Sequence, residues 1–546
     1  MIRERAGRPS VATHWWGPPA AGLAFALAYP PLDLLPLALV APWPFLTFLD
    51  RPARTGAARP LTRDFAGGYL FGLAHYGALL YWIAGLTGFS EMAVPAYVAS
   101  VMVMALNGGL TALAVGCARR RGLSVALAFP LAWTAVEWLR SFGDLGFTWG
   151  LAADTLASYP LLIQTAELGG AYLLSLWLLA LSAALWRLWR PGPLRRPAGG
   201  APRDRFFHAA IVVILAAAIP LYGAVRLDRL EREMVSWPTL RAAAIQPNVP
   251  QDRKWDEAFV DETLSRLADL TRQAMRWNPE LVVWPESAVP VYLRYDLRAR
   301  VLVPALAAEI GTPIFTGTND ADTLAGEPGT SAADYRVYNA AFLVQPEGIA
   351  SGRYAKHRLV PVAERVPFLP GTATGFFERL SSWTGQFAPG EEWTMWEIEG
   401  AEFGVTICYE SVFPNVSRAL VREGADFLVN ITNDAWFGPT AAPYQHASHL
   451  TLRAVENRAP YLRAANTGIS GWVDPLGRWR ARTDLYEFAI VVADLPIPGV
   501  TTPYTRWGNW APLAALIAWA VLCLSVGRRG SGHDRRSGQG RSLSPP

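Results

Sequence analysis

Hydrophobic and polar positions divide this chain into two kinds of sequence. Seven stretches free of Asp, Glu, Lys and Arg fill most of its first 226 residues: Val11 to Leu32, Leu34 to Leu49, Ala66 to Ser90, Met92 to Ala118, Gly122 to Val136, Leu168 to Trp186 and Phe207 to Val225. An eighth, Trp507 to Gly527, lies near the C-terminus. A bilayer core ~30 Å thick needs about 20 apolar helical residues, so the pattern predicts about eight membrane spans. The first two stretches are short and meet at Pro30 and Pro31, which reads as a tight turn back between two helices, with one broken span as the alternative.

The middle of the chain has another rhythm. Short apolar runs at Leu240 to Ile245, Leu281 to Trp284, Pro313 to Thr316, Ala340 to Val344, Phe403 to Cys408, Phe427 to Ile431 and Ile490 to Ala493 read as strands. Amphipathic stretches at Asp256 to Arg276, Leu297 to Ile310, Val412 to Glu423 and Tyr444 to Asn457 read as helices between them. Such alternation predicts one α/β domain. The expected organisation is a membrane domain over 1–226 with about seven spans, an α/β domain over 227–506, a last span over 507–527 and a disordered tail over 528–546.

Composition agrees with a membrane protein: 51% of residues are hydrophobic, 17% are charged, and the mean hydropathy is +0.17. The basic residues set the orientation. Arginines gather in the N-terminal head, the loop from Arg51 to Arg63, the triplet Arg119 to Arg121, the loop from Arg187 to Arg205 and the C-terminal tail, while Arg140 alone occupies the short loops between. By the positive-inside rule both termini are cytoplasmic and the α/β domain lies outside. Three cysteines, Cys117, Cys408 and Cys523, lack the paired spacing of a metal or disulfide framework, so no metal or cofactor is expected. No nucleic-acid partner is expected either.

Only Cys408 falls in the α/β domain. It follows an apolar strand and precedes a helix, a position that fits a nucleophile, its pKa lowered by the helix N-terminus, or a buried structural thiol. The lysine count adds a second clue. The chain has 47 arginines and only two lysines, Lys254 and Lys356. Lys356, flanked by Arg353 and Arg358, suggests a role that a guanidinium cannot fill, whereas Lys254 in the polar run Gln251-Asp252-Arg253-Lys254 reads as a surface residue. Glu286 ends the apolar strand Val282-Val283-Trp284-Pro285, where a general base would sit, although acids there are also helix caps. His446 and His449 are three apart but lack a Glu or Cys partner, so they read as a helix face rather than a metal site.

Trp284-Pro285-Glu286-Ser287, Tyr354-Ala355-Lys356-His357-Arg358-Leu359-Val360-Pro361 and Ile407-Cys408-Tyr409-Glu410 resemble, in order and spacing, the Glu, Lys and Cys motifs of the nitrilase superfamily. With its membrane spans the chain resembles the bacterial apolipoprotein N-acyltransferase family. That resemblance extends to Gln246-Pro247-Asn248-Val249-Pro250-Gln251, to Asn433-Asp434-Ala435-Trp436-Phe437-Gly438 and to the run from Thr502 to Trp510. One departure is Val362-Ala363 before Glu364, where relatives carry an aromatic residue and a glycine; the spacing to Glu364 is kept.

The resemblance implies an αββα sandwich in which Cys408 is the nucleophile, Glu286 the base and Lys356 the oxyanion donor. Glu364, Tyr409 and Glu410 would support them, and Trp255, Trp436 and Phe437 would line the substrate path or anchor at the interface. It further implies an inner-membrane enzyme with its catalytic domain in the periplasm. There it would take an acyl chain from a phospholipid, as a Cys thioester, and pass it to the α-amine of a diacylglyceryl-cysteine apolipoprotein. A membrane-anchored nitrilase-type amidase is the alternative on the triad alone. A multispan transporter would instead put charged residues at mid-membrane, which these spans largely lack.

Overall fold

A computed structural model of the chain describes residues 15–51, 60–88, 92–189, 203–323, 335–349, 352–365 and 387–531. The N-terminal head and most of the expected tail lie outside these residues, although the last helix runs on to Ser531.

The apolar stretches form helices whose lengths follow their prolines. The first two break into short pieces, Gly17–Ala26, Leu35–Val40 and Trp43–Leu49, with Pro30 and Pro31 in the turn between them. Leu61–Leu79, Ala93–Arg120, Val125–Leu139, Ala166–Trp189, Arg203–Met234 and Trp510–Ser531 follow. Among the described residues, three helices are long and apolar enough to cross a membrane: Ala93–Arg120, Ala166–Trp189 and the Phe206–Met234 part of the last long one. Leu35–Leu49, Val125–Leu139 and Trp510–Ser525 are apolar but shorter. Helices Leu61–Leu79 and Ala93–Arg120 meet backbone to backbone: a Cβ on Gly68 would stand 2.1 Å from the Gly108 carbonyl oxygen, and one on Gly108 would stand 2.2 Å from that of Gly68.

The α/β domain is two sheets packed face to face. Strands β1 (Thr239–Gln246), β2 (Leu281–Val283), β4 (Ile314–Thr323) and β5 (Tyr335–Gln345) form the centre of one sheet, with β3 (Val289–Tyr292) paired to β4 and β14 (Ala489–Pro496) beside β1. Strands β9 (Ala401–Ile407), β10 (Phe427–Thr432) and β11 (Tyr461–Ala465) form the centre of the other, all parallel. Alternation sorts the side chains into layers. Leu240, Ala242 and Ala244 of β1 join Phe403, Val405 and Phe427 in the core between the sheets. Ala243 and Ile245 turn the other way, onto helices Val260–Ala274 and Leu297–Ile310. Helices Pro414–Glu423 and Ala442–Asn457 pack by the second sheet, giving the four layers expected.

Buried charge joins the two domains. Arg458, at the end of helix Ala442–Asn457, donates from Nε to Glu167 Oε2 (2.8 Å) and from Nη1 to Gln164 Oε1 (2.8 Å). Glu456 accepts from the Ala171 N–H at 2.7 Å, just beyond the kink at Gly169 and Gly170 in helix Ala166–Trp189. Glu137 and Arg140, three residues apart, bond to separate partners. Glu137 accepts from Trp133 Nε1 and the Ala152 N–H, and Arg140 donates to Tyr76 and the Gly150 carbonyl.

Candidate active site

Strand β9 ends at Ile407, and the chain turns at Cys408 into a 3₁₀ turn, Cys408–Val412, rather than directly into an α-helix. Cys408 adopts φ +50°, a left-handed conformation that costs a non-glycine residue energy and lifts the thiol off the strand end. Ser287, just after Glu286 at the end of β2, is likewise left-handed at φ +48°. Two strained turns, one from each sheet, therefore carry two of the three expected residues.

Lys356 comes from a third segment, one residue beyond strand β7 (Tyr354–Ala355), which pairs with β5. Its Nζ donates to Glu364 Oε1 at 2.9 Å and lies 3.5 Å from Glu286 Oε1. Asn339 of β5 ties the carboxylates together, donating from Nδ2 to Glu286 Oε1 (2.7 Å) and to Glu364 Oε1 (2.9 Å). The other Glu286 oxygen accepts from the Asn433 N–H at 2.9 Å. Glu364 is held in turn by the Val360 N–H at 2.7 Å, so the spacing kept from Lys356 to Glu364 closes a small loop around the ammonium.

Glu410 is fully buried. Its carboxylate accepts from the N–H groups of Ile407 (2.8 Å), His357 (2.7 Å) and Arg358 (3.1 Å) and from the Tyr354 hydroxyl (3.0 Å). It thus fastens the Lys356 segment to the Cys408 turn. Burial pushes its pKa up to about 7, against these hydrogen bonds and the Lys356 charge.

Electrostatics at the thiol correct the sequence expectation. The Cys408 pKa is raised, first by burial and next by the Glu286 charge, with Lys356 opposing. The thiol is protonated at rest because burial and the neighbouring Glu286 carboxylate disfavour the thiolate, where a helix N-terminus was expected to ionise it. A neutral thiol needs a base, and Glu286 is the carboxylate beside it. Burial alone disfavours charge on Lys356, but Glu364 and Glu286 outweigh it and hold the ammonium well above its usual range.

Residues 241–502 match the carbon-nitrogen hydrolase family, and residues 21–184 match the family described as the apolipoprotein N-acyltransferase N-terminal domain. A Geobacter metallireducens protein called apolipoprotein N-acyltransferase is 34% identical over 520 residues, covering 94% of this chain and 95% of that relative. One of the same name from Bradyrhizobium diazoefficiens is 33% identical over 533 residues, covering 93% and 94%. The chain belongs to the apolipoprotein N-acyltransferase family. Among solved structures, an amidase from Nesterenkonia sp. is 20% identical, covers 50% of this chain and 94% of its own length, and has a TM-score of 0.36. Membership of the acyltransferase family disfavours the amidase alternative.

Several residues fall elsewhere than the sequence suggested. Lys254 is not a surface residue: it is 3% exposed and its Nζ donates to the Glu286 carbonyl oxygen at 2.9 Å. Its polar neighbours mislead because the short helix Gln251–Lys254 turns Gln251 and Lys254 inward and Asp252 and Arg253 outward. His446 and His449 are also buried. His446 bridges Asp434 Oδ1 (2.9 Å) and the Cys408 carbonyl (3.0 Å), while His449 Nδ1 lies 3.4 Å from Asp154. Among the described residues no group of three His, Cys, Asp or Glu has metal-holding geometry.

Tyr409 and Phe437 face the membrane domain. The Tyr409 hydroxyl donates to the Gly146 carbonyl (3.3 Å), and the Phe437 ring packs against Trp82 and Trp149. Trp436 is partly buried in the same turn, and Trp255 is 37% exposed beside Lys254. Asn339 and Asn433 went unassigned in the sequence reading. Asn339 directly precedes the apolar run Ala340 to Val344, and Asn433 opens the run Asn433 to Gly438.

Proposed function

We propose that Glu286, Lys356 and Cys408 are the catalytic residues of this family member, and that Glu364, Glu410 and Tyr409 hold them in place. Glu286 takes the Cys408 proton, and the sulfur attacks the ester carbonyl carbon of a phospholipid acyl chain. Lys356 and the Tyr409 N–H donate to the resulting oxyanion. When the C–O bond breaks, the lysophospholipid oxygen takes the proton back from Glu286 and leaves an acyl-Cys408 thioester. The α-amine of a diacylglyceryl-cysteine apolipoprotein then attacks that carbonyl, loses its proton to Glu286 and expels the thiolate, giving an amide. The thiol recovers the proton from Glu286. The observation that carries this reading is the convergence of a protonated thiol, a carboxylate and an ammonium beside the membrane domain. Tyr409 meets Gly146 there, and Thr148 donates to the Val412 carbonyl at 2.8 Å.

Both substrates are lipids, which gives the seam its meaning. A cleft between the domains is lined by Gly143, Asp144, His357, Arg358, Arg365 and Tyr409, a route by which a headgroup approaches the thiol. Trp255, Trp436 and Phe437 border the lipid path in this reading. We divide the chain as 1–226, 227–506, 507–527 and 528–546, with about eight crossings of the bacterial inner membrane and the catalytic domain periplasmic. Support comes from the arginine-bearing helix ends, which meet one another. Arg119 donates to Asp64 Oδ2 (2.8 Å) and the Arg51 carbonyl (3.1 Å), and Arg121 donates to the Cys523 carbonyl (3.0 Å). Whether the first two short segments cross or turn back together, the side of every later segment is the same.

Proteoliposomes carrying isotope-labelled phospholipid and a diacylglyceryl lipopeptide test the assignment. The wild type should produce labelled triacyl lipopeptide, Cys408→Ser should produce none, and Cys117→Ser and Cys523→Ser should match the wild type. Near-normal product from Cys408→Ser would contradict the thioester route.

A further inference from the structure

Both lysines of this chain end at one residue. Lys356 faces the Glu286 carboxylate, and Lys254, from a separate element, donates to the Glu286 main-chain carbonyl. The helix of Lys254 is tied to the same carboxylate from its other end. Gln251 Oε1 accepts from Asn433 Nδ2 at 2.8 Å, and the Asn433 N–H reaches Glu286 Oε2. Glu286 is thus held at its carbonyl by Lys254 and at its carboxylate by Lys356, Asn339 and Asn433, immediately before the left-handed Ser287.

Burial alone does not call for lysine in this protein. Its fully buried structural cations are arginines: Arg453, Arg458 and Arg463, each paired with a carboxylate. An ammonium differs in being compact and in being able to lose its proton near neutral pH when desolvated. Among the described residues, the Glu286 carbonyl is the hydrogen-bond acceptor of Lys254, and no carboxylate lies within ion-pair distance of it. Its charge is felt by Glu286 and Cys408.

We propose that Lys254 is a second functional cation of the active site: a positioning residue that fixes the Glu286 turn and whose positive charge stabilises the Cys408 thiolate. This rests on the assignment of Cys408 as nucleophile. Burial lowers the Lys254 pKa to about 8, with Glu286 and Cys408 pulling the other way, so the charge is present at pH 7 and lost about one unit higher. Beyond Glu286 lies Lys356, paired with Glu364, and the carboxylates beside that ammonium hold its pKa well above the range of the test.

Alkylation of the full chain in detergent by iodoacetamide tests this, followed by mass spectrometry of the Cys408 peptide between pH 6 and 9.5. In the wild type, the logarithm of the rate should rise with pH and flatten near 8 as Lys254 loses its charge. Lys254→Met should react ~10-fold more slowly at pH 7, the effect of about one unit in thiol pKa, and converge on the wild type above pH 9. Lys254→Arg, which cannot discharge, should show no bend. Superimposed curves, or a loss in Lys254→Met that is the same at every pH, would overturn the proposal, because a merely structural lysine gives no pH signature. The Cys117 and Cys523 peptides serve as internal references. A wild type that shows the bend yet never forms acyl-Cys408 would overturn the catalytic assignment instead.

Discussion

Lys254 and Lys356 show what residue type alone conveys and what it cannot. In a sequence that writes arginine almost everywhere, both lysines are exceptions, yet only Lys356 has neighbours that mark it. The apolar strand before Glu286 and the turn at Cys408 marked those two residues as candidates for the same reason: an ionisable group at the end of a buried strand stands out. Asn339 and Asn433 did not, since an asparagine is ordinary in a strand or a loop, and the bonds they make to Glu286, from the Asn339 amide and the Asn433 main-chain N–H, reach a distant segment. Lys254 also implies a pH effect on stability. Its folded pKa, about 8, lies below the unfolded 10.5, so the folded state binds fewer protons between those values. The cost of burying this ammonium is therefore full below pH 8 and disappears as pH rises toward 10.5. Compared with Lys254→Met, the wild type should gain on the order of 3 kcal/mol across that window. Thermal unfolding of both proteins at pH 7.5 and 9.5 checks it: the gap should shift in favour of the wild type at the higher pH, and a pH-independent gap would contradict the burial assigned to Lys254.

Elements were read best where pattern and packing coincide. Leu297–Ile310 has the bounds its periodicity predicts, and each of the seven apolar runs falls on a strand because both sheets are covered on both faces. Boundaries slipped where local chemistry competes with hydropathy. Cys408 leaves strand β9 for a 3₁₀ turn, and prolines cut the first two membrane segments into helices of 10, 6 and 7 residues. Close packing between helices is likewise invisible to hydropathy, which cannot tell that Gly68 and Gly108 will face each other. Gly108→Val should force helices Leu61–Leu79 and Ala93–Arg120 apart and cost about 1–3 kcal/mol, read as a lower unfolding temperature in detergent. Unchanged stability would show that these helices do not meet at the two glycines.

At the scale of the whole molecule, the catalytic domain is built into the membrane domain, not merely tethered to it. Glu167, Gln164 and the Ala171 N–H receive the charged end of helix Ala442–Asn457, while Gly146 and Thr148 touch the turn Cys408–Val412. The two regions differ in hydropathy along the sequence, but nothing in it showed that Arg458 would be buried against the apolar helix Ala166–Trp189; a charged helix end usually reads as solvated. An acyl ester drawn from a bilayer reaches Cys408 only if the thiol stands at this seam, and that is the central claim. Mass spectrometry of the purified wild-type protein after incubation with phospholipid alone, without acceptor, tests it most directly. The account predicts one acyl chain on the Cys408 peptide, released lysophospholipid in equal amount, and discharge of the acyl group when diacylglyceryl lipopeptide is added. An unmodified Cys408 peptide, or an acyl group on any other residue, would contradict it.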